Sequence, residues 1–538
     1  MVAGALAASI GLAAAACGGD DASSDATPAG GAEAGGTTAA AAETTAAPAT
    51  TAATDTTTGG GSGSATEQPA TLEEWEALWA TERAAIVERI KENGWGVSAD
   101  GKTLTGPSGF TVDLSACAGG SWNNTEGLTD TEIKFGHTIS LSGTTADYGN
   151  ATKTAKLIFD YYSERGAFED SEGKTRTINY IVKDDGYDSA RTIPLVDELL
   201  DSERTFAHWG LGTPNILKTY DKLNQRCVPN VFMQSGHPAF GDPVNHPWTV
   251  GAPQTSYSTE AVLWGAFIEQ RLDEFPDGKV KVAALVMNND FGRIYDASFK
   301  AYLESSENKD RIEYVTETIE PQAPTISDPM TTLAAEQPQV FIAMVAAQQC
   351  TQAIVAAAEN GMKESVDYLM QPAVCTGTGY VNKEKVGGDG MAADGWWLMN
   401  PAFKDFNDPS QFEDPWIAWG RKMMLDAGLD PKLSSSFGTG LLYGWPLVQV
   451  LQIAGELDGG LTRANMILAT RALDMTHPGY LPGVKMRLDG NADGYTEEAG
   501  VFQQWDAANQ IWVVKGNVID LDGKSKPCAW DAGAGVCR

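Results

Sequence analysis

From residue 131 to residue 370 the chain alternates short apolar runs with amphipathic stretches, and no other feature constrains the fold as tightly. Residues 133–139, 177–183, 205–209 and 230–234 read as strands, with helices over 151–165, 189–200 and 215–224 between them. A second set starts near Ser258. It runs helix 259–272, strand 280–287, helix 295–304, strand 312–316, strand 340–345, helix 351–360 and strand 367–370. Repeated strand–helix–strand units give mostly parallel, doubly wound sheets, because a parallel neighbour is reached only by a crossover. Two such sets predict an α/β protein of two Rossmann-like lobes. Ligands in such sheets sit beyond the carboxyl ends of the strands, here in the cleft between the lobes.

The start of the chain is of another kind. Residues 2–16 are uncharged, small and apolar, and Cys17 follows directly. Ala14-Ala15-Ala16-Cys17-Gly18 resembles the bacterial lipobox, where a signal peptidase cuts before a diacylated cysteine. It departs from that pattern in having Ala14 where leucine is usual and in lacking a basic leader. An ordinary secretory segment with an incidental cysteine is the alternative. Residues 20–70 contain no Leu, Ile, Val, Phe, Trp or Tyr. Such a stretch cannot bury enough apolar area to offset its ordering entropy, so residues 18–70 are expected to form a disordered tether. Order is expected from Thr71, which can cap a helix with Glu74 as its reciprocal partner; Leu72, Trp75, Leu78, Trp79, Ala85, Ile86 and Ile90 then recur at helical spacing. Residues 71–130 are therefore a small, partly helical extension before the main fold.

Charge and cysteines narrow the function classes. Lys+Arg number 38 against Asp+Glu 71, a formal charge of −33. That surface repels nucleic acid and anionic lipid headgroups. Apart from Cys17 there are six cysteines: Cys117, Cys227, Cys350, Cys375, Cys528 and Cys537. An even number in an exported chain reads as disulfides, and six cysteines allow 15 pairings. Cys350 opens a helix and Cys375 follows the next strand, so Cys350–Cys375 is expected at one sheet end. Cys528–Cys537 is a local pair, which leaves Cys117–Cys227. No C-x-x-C occurs.

Several motifs together bear a family resemblance. Residues 133–143 (IKFGHTISLSG), then Asp147-Tyr148-Gly149, are similar to the first strand and ligand loop of the type I periplasmic-binding proteins of the branched-chain amino-acid importer class. Asp184-Asp185, Asn288-Asn289-Asp290-Phe291-Gly292, residues 486–493 and residues 500–505 match further landmarks in the same order. The resemblance covers about residues 131–519. It implies three crossovers, with lobe 1 over 131–251 and 401–492, lobe 2 over 252–400 and 493–519, and a tail over 520–538. It also implies closure of the lobes on a ligand.

Carried over residue by residue, the resemblance implies three ligand loops in lobe 1: Ser142, Thr144 and Tyr148; Gly212 and Thr213; and Ser235, Gly236 and His237. Tyr148 stands where the family places a stacking aromatic. In amino-acid binders these loops hold the ligand carboxylate. Free N–H groups at the helix start after Gly212 are suited to an anion. From lobe 2 it implies Phe291, Gln348, Gln349 and Ala373. Ala373 falls where amino-acid binders carry a glutamate for the α-ammonium, and Ala346-Ala347 where they carry aromatics. A desolvated ammonium without a partner costs several kcal/mol. The expected ligand is therefore a small carboxylate-bearing or neutral compound, aromatic given Tyr148 and Phe291, and not a free α-amino acid.

Other chemistry finds little support. His137, His208, His237, His246 and His477 include no H-x-x-x-H pair, and there is no G-x-S-x-G, Walker A or G-x-G-x-x-G motif. Residues 489–494 (DGNADG) copy the first half of a calcium loop, but Gly500 occupies the twelfth position, where a bidentate acid belongs. A tight acidic turn is expected there. Trp396-Trp397, Trp416 and Trp419 read as packing groups. No metal or cofactor is expected. The reading is a monomeric, lipid-anchored, extracytoplasmic solute-binding protein delivering a small molecule to an ABC permease. A ligand sensor of the same fold is the alternative, and a surface hydrolase a third.

Overall fold

A computed structural model describes residues 68–434 and 436–537. The lipobox ending at Cys17 and tether residues 18–67 lie outside the described residues. Lobe 1 is built on a four-stranded sheet in the order Phe168–Glu169, Thr175–Asp184, Glu132–Ile139, Ala207–Gly210. Glu132–Ile139 runs parallel to both neighbours, with Ile139 opposite Asp184 and Thr138 opposite Gly210. Lobe 2 carries seven strands in the order Ile511–Val514, Val501–Asp506, Trp397–Asn400, Tyr368–Gln371, Val340–Met344, Val280–Met287, Ile312–Ile319. The last five of these are mutually parallel, and the two late strands close the edge antiparallel.

The two-lobed α/β architecture is therefore as expected, with local differences. Residues 230–234 do not form a continuous strand. They meet the sheet only through single bridges, His208 to Asn230 and Leu211 to Gln234. Phe232 lies at φ 54°, a left-handed conformation that breaks an extended ladder. The expected helix over 215–224 is divided into Thr213–Leu217 and Tyr220–Gln225. The helix after Met287 begins earlier than periodicity implied, at Asp290, because the Asn289 side chain accepts from the N–H groups of Phe291 and Gly292.

The chain crosses between lobes near residue 255, after Asn400 and near residue 498. At this junction Thr255 donates its hydroxyl to the buried Glu497 carboxyl (3.2 Å), and Tyr480 donates to the Pro253 carbonyl (2.9 Å). The return segment supplies the long helix Ser436–Glu456, which packs on Ala151–Glu164. A methyl group at Gly440 would fall 2.1 Å from the Ala151 carbonyl, so glycine is needed for this approach.

The extension belongs to lobe 1's core. Its helix, Leu72–Glu92, starts with both hydrogen bonds of the Thr71–Glu74 capping box. Trp75 and Trp79 are fully buried among lobe 1 side chains. Trp416 packs on Trp79 there, while Trp396 is buried under the lobe 2 sheet. The six cysteines form the expected pairs, Cys117–Cys227, Cys350–Cys375 and Cys528–Cys537, with Cα separations of 5.4, 5.8 and 4.9 Å. Among the described residues no helix is long and apolar enough to cross a membrane.

Candidate functional site

The strand ends of lobe 1 present their loops as one assembly. The buried Asp185 carboxylate organises it, accepting from Tyr187 N (2.9 Å), Thr192 Oγ1 (3.0 Å) and Asn215 Nδ2 (2.9 Å). Asp184 holds the first loop, accepting from Leu141 N (2.8 Å) and Ser142 Oγ (2.7 Å). Gly212, at φ 96°, passes so close to the Tyr187 ring that an added Cβ would lie 2.8 Å from it. Thr213 and Ser235 join their hydroxyls at 2.8 Å.

The lobes stand closed on one another. Thr144 donates its hydroxyl to Gln322 Oε1 (2.9 Å) and the Pro321 carbonyl (3.2 Å) of lobe 2. The Ala347 N–H donates to Tyr148 Oη across the cleft (3.1 Å). Ala347 adopts φ 54°, ψ −130° to present that group, a strained conformation of the sort found at ligand clamps. Behind these contacts lies a cavity of about 150 Å³, the size that holds one benzene-sized ring.

Five expected residues line this cavity: Tyr148, Gly212, Thr213, Phe291 and Ala373. The others lie elsewhere. Ser142 and Thr144 fasten loops and lobes, as above. Ser235 sits behind Thr213, and Gly236 leaves no room beside Tyr257 for a Cβ. His237 turns away from the cavity: its Nδ1 accepts from Ala239 N, its ring meets Trp530, and burial holds it neutral, with a pKa of about 3. Gln348 is exposed. Gln349 Nε2 donates to the Glu320 carbonyl (3.0 Å) within lobe 2. Neither glutamine lines the cavity, which the chain leaves after Ala346. The helix after Gly212 is a single turn, too short to add much dipole to an anion site.

Sequence reading missed the rest of the wall. Tyr187, Tyr257, Tyr380 and Tyr443 join Tyr148 around the cavity, and the segment from Phe403 to Asn407 closes one side. No motif marks that segment; it enters only because the chain returns to lobe 1 after Asn400. The one cation among the described lining residues, Lys404, points elsewhere, its ammonium bound by Asp414 Oδ2 (2.6 Å) and the Pro478 carbonyl (2.8 Å).

A buried acid does lie near Ala373, supplied from another element. Glu260, on the helix Tyr257–Glu269, accepts from Ala373 N (2.7 Å) and Tyr295 Oη (2.5 Å). Burial pushes its carboxyl up to about 8. It supports the wall from behind and does not line the cavity. The acidic turn at 489–494 forms, with Asp489 bridged to Asp493, and Asp493 approaches Glu498 and Asp522.

Residues 132–510 match the family described as "Periplasmic binding protein", and the chain belongs to that family. Its fold is the type I form. Solved structures that share it include a possible leucine/isoleucine/valine-binding protein from Rhodopirellula baltica (TM-score 0.58, 18% identity, covering 72% of this chain and 97% of that one). A fatty acid ABC transporter substrate-binding protein from Thermomonospora curvata gives 0.60 at 17% identity, covering 76% and 97%. A Rhodopseudomonas palustris ABC solute-binding protein in complex with 3,4-dihydroxy benzoic acid gives 0.57 at 18%, covering 73% and 98%. No curated protein sequence matches the chain.

Proposed function

We propose that the chain is an extracytoplasmic solute-binding lipoprotein of an ABC importer, anchored through Cys17 and spaced from the membrane by residues 18–70. It captures a small organic ligand by closing its lobes. The observation that carries this reading is the tyrosine-walled cavity sealed by contacts from Thr144 and Tyr148 to lobe 2. Closure buries the ligand, and the closed form is what a permease distinguishes from the open one. Anchoring by two acyl chains is firm, at about 0.8 kcal/mol per buried CH₂. Cys17→Ser should therefore release the protein into the medium; unchanged membrane fractionation would sink the anchor.

The ligand we propose is a carboxylate-bearing or neutral ring compound, not a free α-amino acid. At the position where amino-acid binders carry a glutamate, Ala373 offers no carboxylate to an α-ammonium, and the Glu260 carboxyl behind it is occupied by Tyr295 and by the Ala373 N–H itself; the acid that lines the cavity, Asp405, stands on the opposite lobe, in the segment after Asn400. Calorimetry against leucine, isoleucine, valine and the other common amino acids should show no sub-micromolar binding. Such binding by any one of them overturns this part of the reading.

A further inference from the structure

The cavity wall contributed by the return segment is chemically incomplete. After the strand Trp397–Asn400 the chain turns sharply: Asn400 Oδ1 accepts from Phe403 N (2.7 Å), and Ala402 takes φ 56°. Asp405 and Asn407 then form a tight turn, with Asp405 Oδ1 accepting from Asn407 N (2.8 Å) and Asn407 Nδ2 donating to the Pro431 carbonyl (3.1 Å). The second oxygen of each side chain is different. Asp405 Oδ2 and Asn407 Oδ1 are both shielded from water, and neither meets a donor. Both residues line the cavity.

Buried acceptors are nearly always paired, and leaving one unpaired is unfavourable. Here two acceptors, two residues apart in one turn, await donors. Among the described residues no Lys or Arg makes an ion pair with Asp405. The nearby Arg421 spends its guanidinium on the Phe406 carbonyl. Burial pushes the Asp405 carboxyl up to about 6, with Asp408 adding to the rise and the Asn407 N–H and Arg421 opposing it.

We propose that Asp405 and Asn407 are specificity-determining residues that read a neutral hydrogen-bond donor, a hydroxyl, on the ring compound held in the cavity. The proposal rests on the cavity being the ligand site, as above. A hydroxyl supplies a neutral donor that can meet one of these acceptors without bringing a charge into the cavity. An ammonium has the donors too, and the aminomethyl probes below are the arm of the test that distinguishes it from a hydroxyl. An ether or a bare ring leaves both acceptors unmet in a desolvated site. The selection is steep for the general reason that a site built to pair with a hydroxyl rejects analogues lacking it.

The test uses the full-length protein and matched single-ring probes: 4-hydroxybenzoate, benzoate, 4-methoxybenzoate and 4-(aminomethyl)benzoate, and the same four substituents on benzamide. Binding is read by calorimetry and ligand-induced thermal shift. At least one hydroxyl probe should bind ten-fold or more tighter than its unsubstituted, methoxy and aminomethyl counterparts. Asp405→Asn and Asn407→Leu should remove that preference; the unliganded melting temperature should stay close to wild type in Asp405→Asn and fall modestly in Asn407→Leu, which also loses the bond to the Pro431 carbonyl. If either variant unfolds, the other carries the test, because each removes one acceptor.

Equal binding of hydroxyl and methoxy probes, or a preference that survives both substitutions, overturns the proposal. A preference for the aminomethyl probes overturns it in favour of a cationic ligand. Failure of all eight probes to bind also overturns it. The importer reading is judged separately, by whether the compound carried through gentle purification closes the lobes in small-angle scattering.

Discussion

Trp79→Ala is expected to destabilise the protein by about 4 kcal/mol, within the usual range for removing a buried tryptophan. The helix Leu72–Glu92 precedes the two-lobed fold in sequence, yet it fills part of lobe 1's core. Trp79 packs on Trp75 at 5.5 Å, Trp445 at 5.2 Å and Trp416 at 6.1 Å between ring centroids. Its indole N–H donates to the Thr476 carbonyl (3.1 Å). Truncation therefore opens a cavity between three helices and removes a donor from a partly buried carbonyl. Urea unfolding checks this through the midpoint at unchanged slope. Val97→Ala, at a 40% exposed position in the same extension, should stay within about 0.5 kcal/mol. A loss below 1 kcal/mol in Trp79→Ala would mean that the helix is an appendage and lobe 1 is complete without it.

The same helix shows what could be read from sequence and what could not. Its capping box, period and stop signal are local, and they were legible: Thr71, Glu74 and the Trp75–Trp79 spacing needed no partner to be recognised. Where it packs was not legible, since Trp445, Trp416 and Thr476 lie hundreds of residues away. The parallel strands were legible because burial on both faces leaves continuous apolar runs such as Val280–Met287. Residues 230–234 had that pattern without the ladder, because a positive φ at Phe232 leaves no trace in hydrophobicity. At the site, Tyr148, Gly212, Thr213, Phe291 and Ala373 were reached through motif order along the chain. Gln348 and Gln349 failed because adjacency in sequence does not say which way a helix's first turn faces. Asp405, Asn407 and Tyr443 were missed because the second crossover, after Asn400, brings them in, and crossover geometry is set by both lobes together.

Glu260 should make stability fall as pH rises through neutrality. Its carboxyl is fully buried beneath the cavity wall, and burial raises its folded pKa from 4.5 to about 8. Unfolding returns it to the ordinary carboxylate value. Between those two values the folded state holds a proton that the unfolded state has released, so the slope of unfolding free energy against pH is negative there. The stability is fully present below the unfolded value and is lost as pH rises through the folded one. Below pH 6.5 the effect is masked. Burial lowers the pKa values of His137, His208, His237 and His477, so these take up protons on unfolding and their contribution to stability rises with pH, the opposite way. Above that value their contribution levels off over about one further pH unit, while Asp493, pushed up to about 7 by burial and by Glu498, adds to the fall; the comparison with Glu260→Gln cancels both. From pH 6.5 to 8 Glu260 alone should remove about 2 kcal/mol, at 1.36 kcal/mol per unit. Glu260→Gln keeps an acceptor for the Ala373 N–H and offers an amide to Tyr295, but it carries no titrating proton. Its stability should change less between pH 6.5 and 8 than that of the wild type, by that amount. Denaturant unfolding of both proteins at the two pH values decides the point. Equal slopes would mean that the Glu260 carboxyl is already ionised at neutral pH, with the Ala373 and Tyr295 hydrogen bonds outweighing the effect of burial.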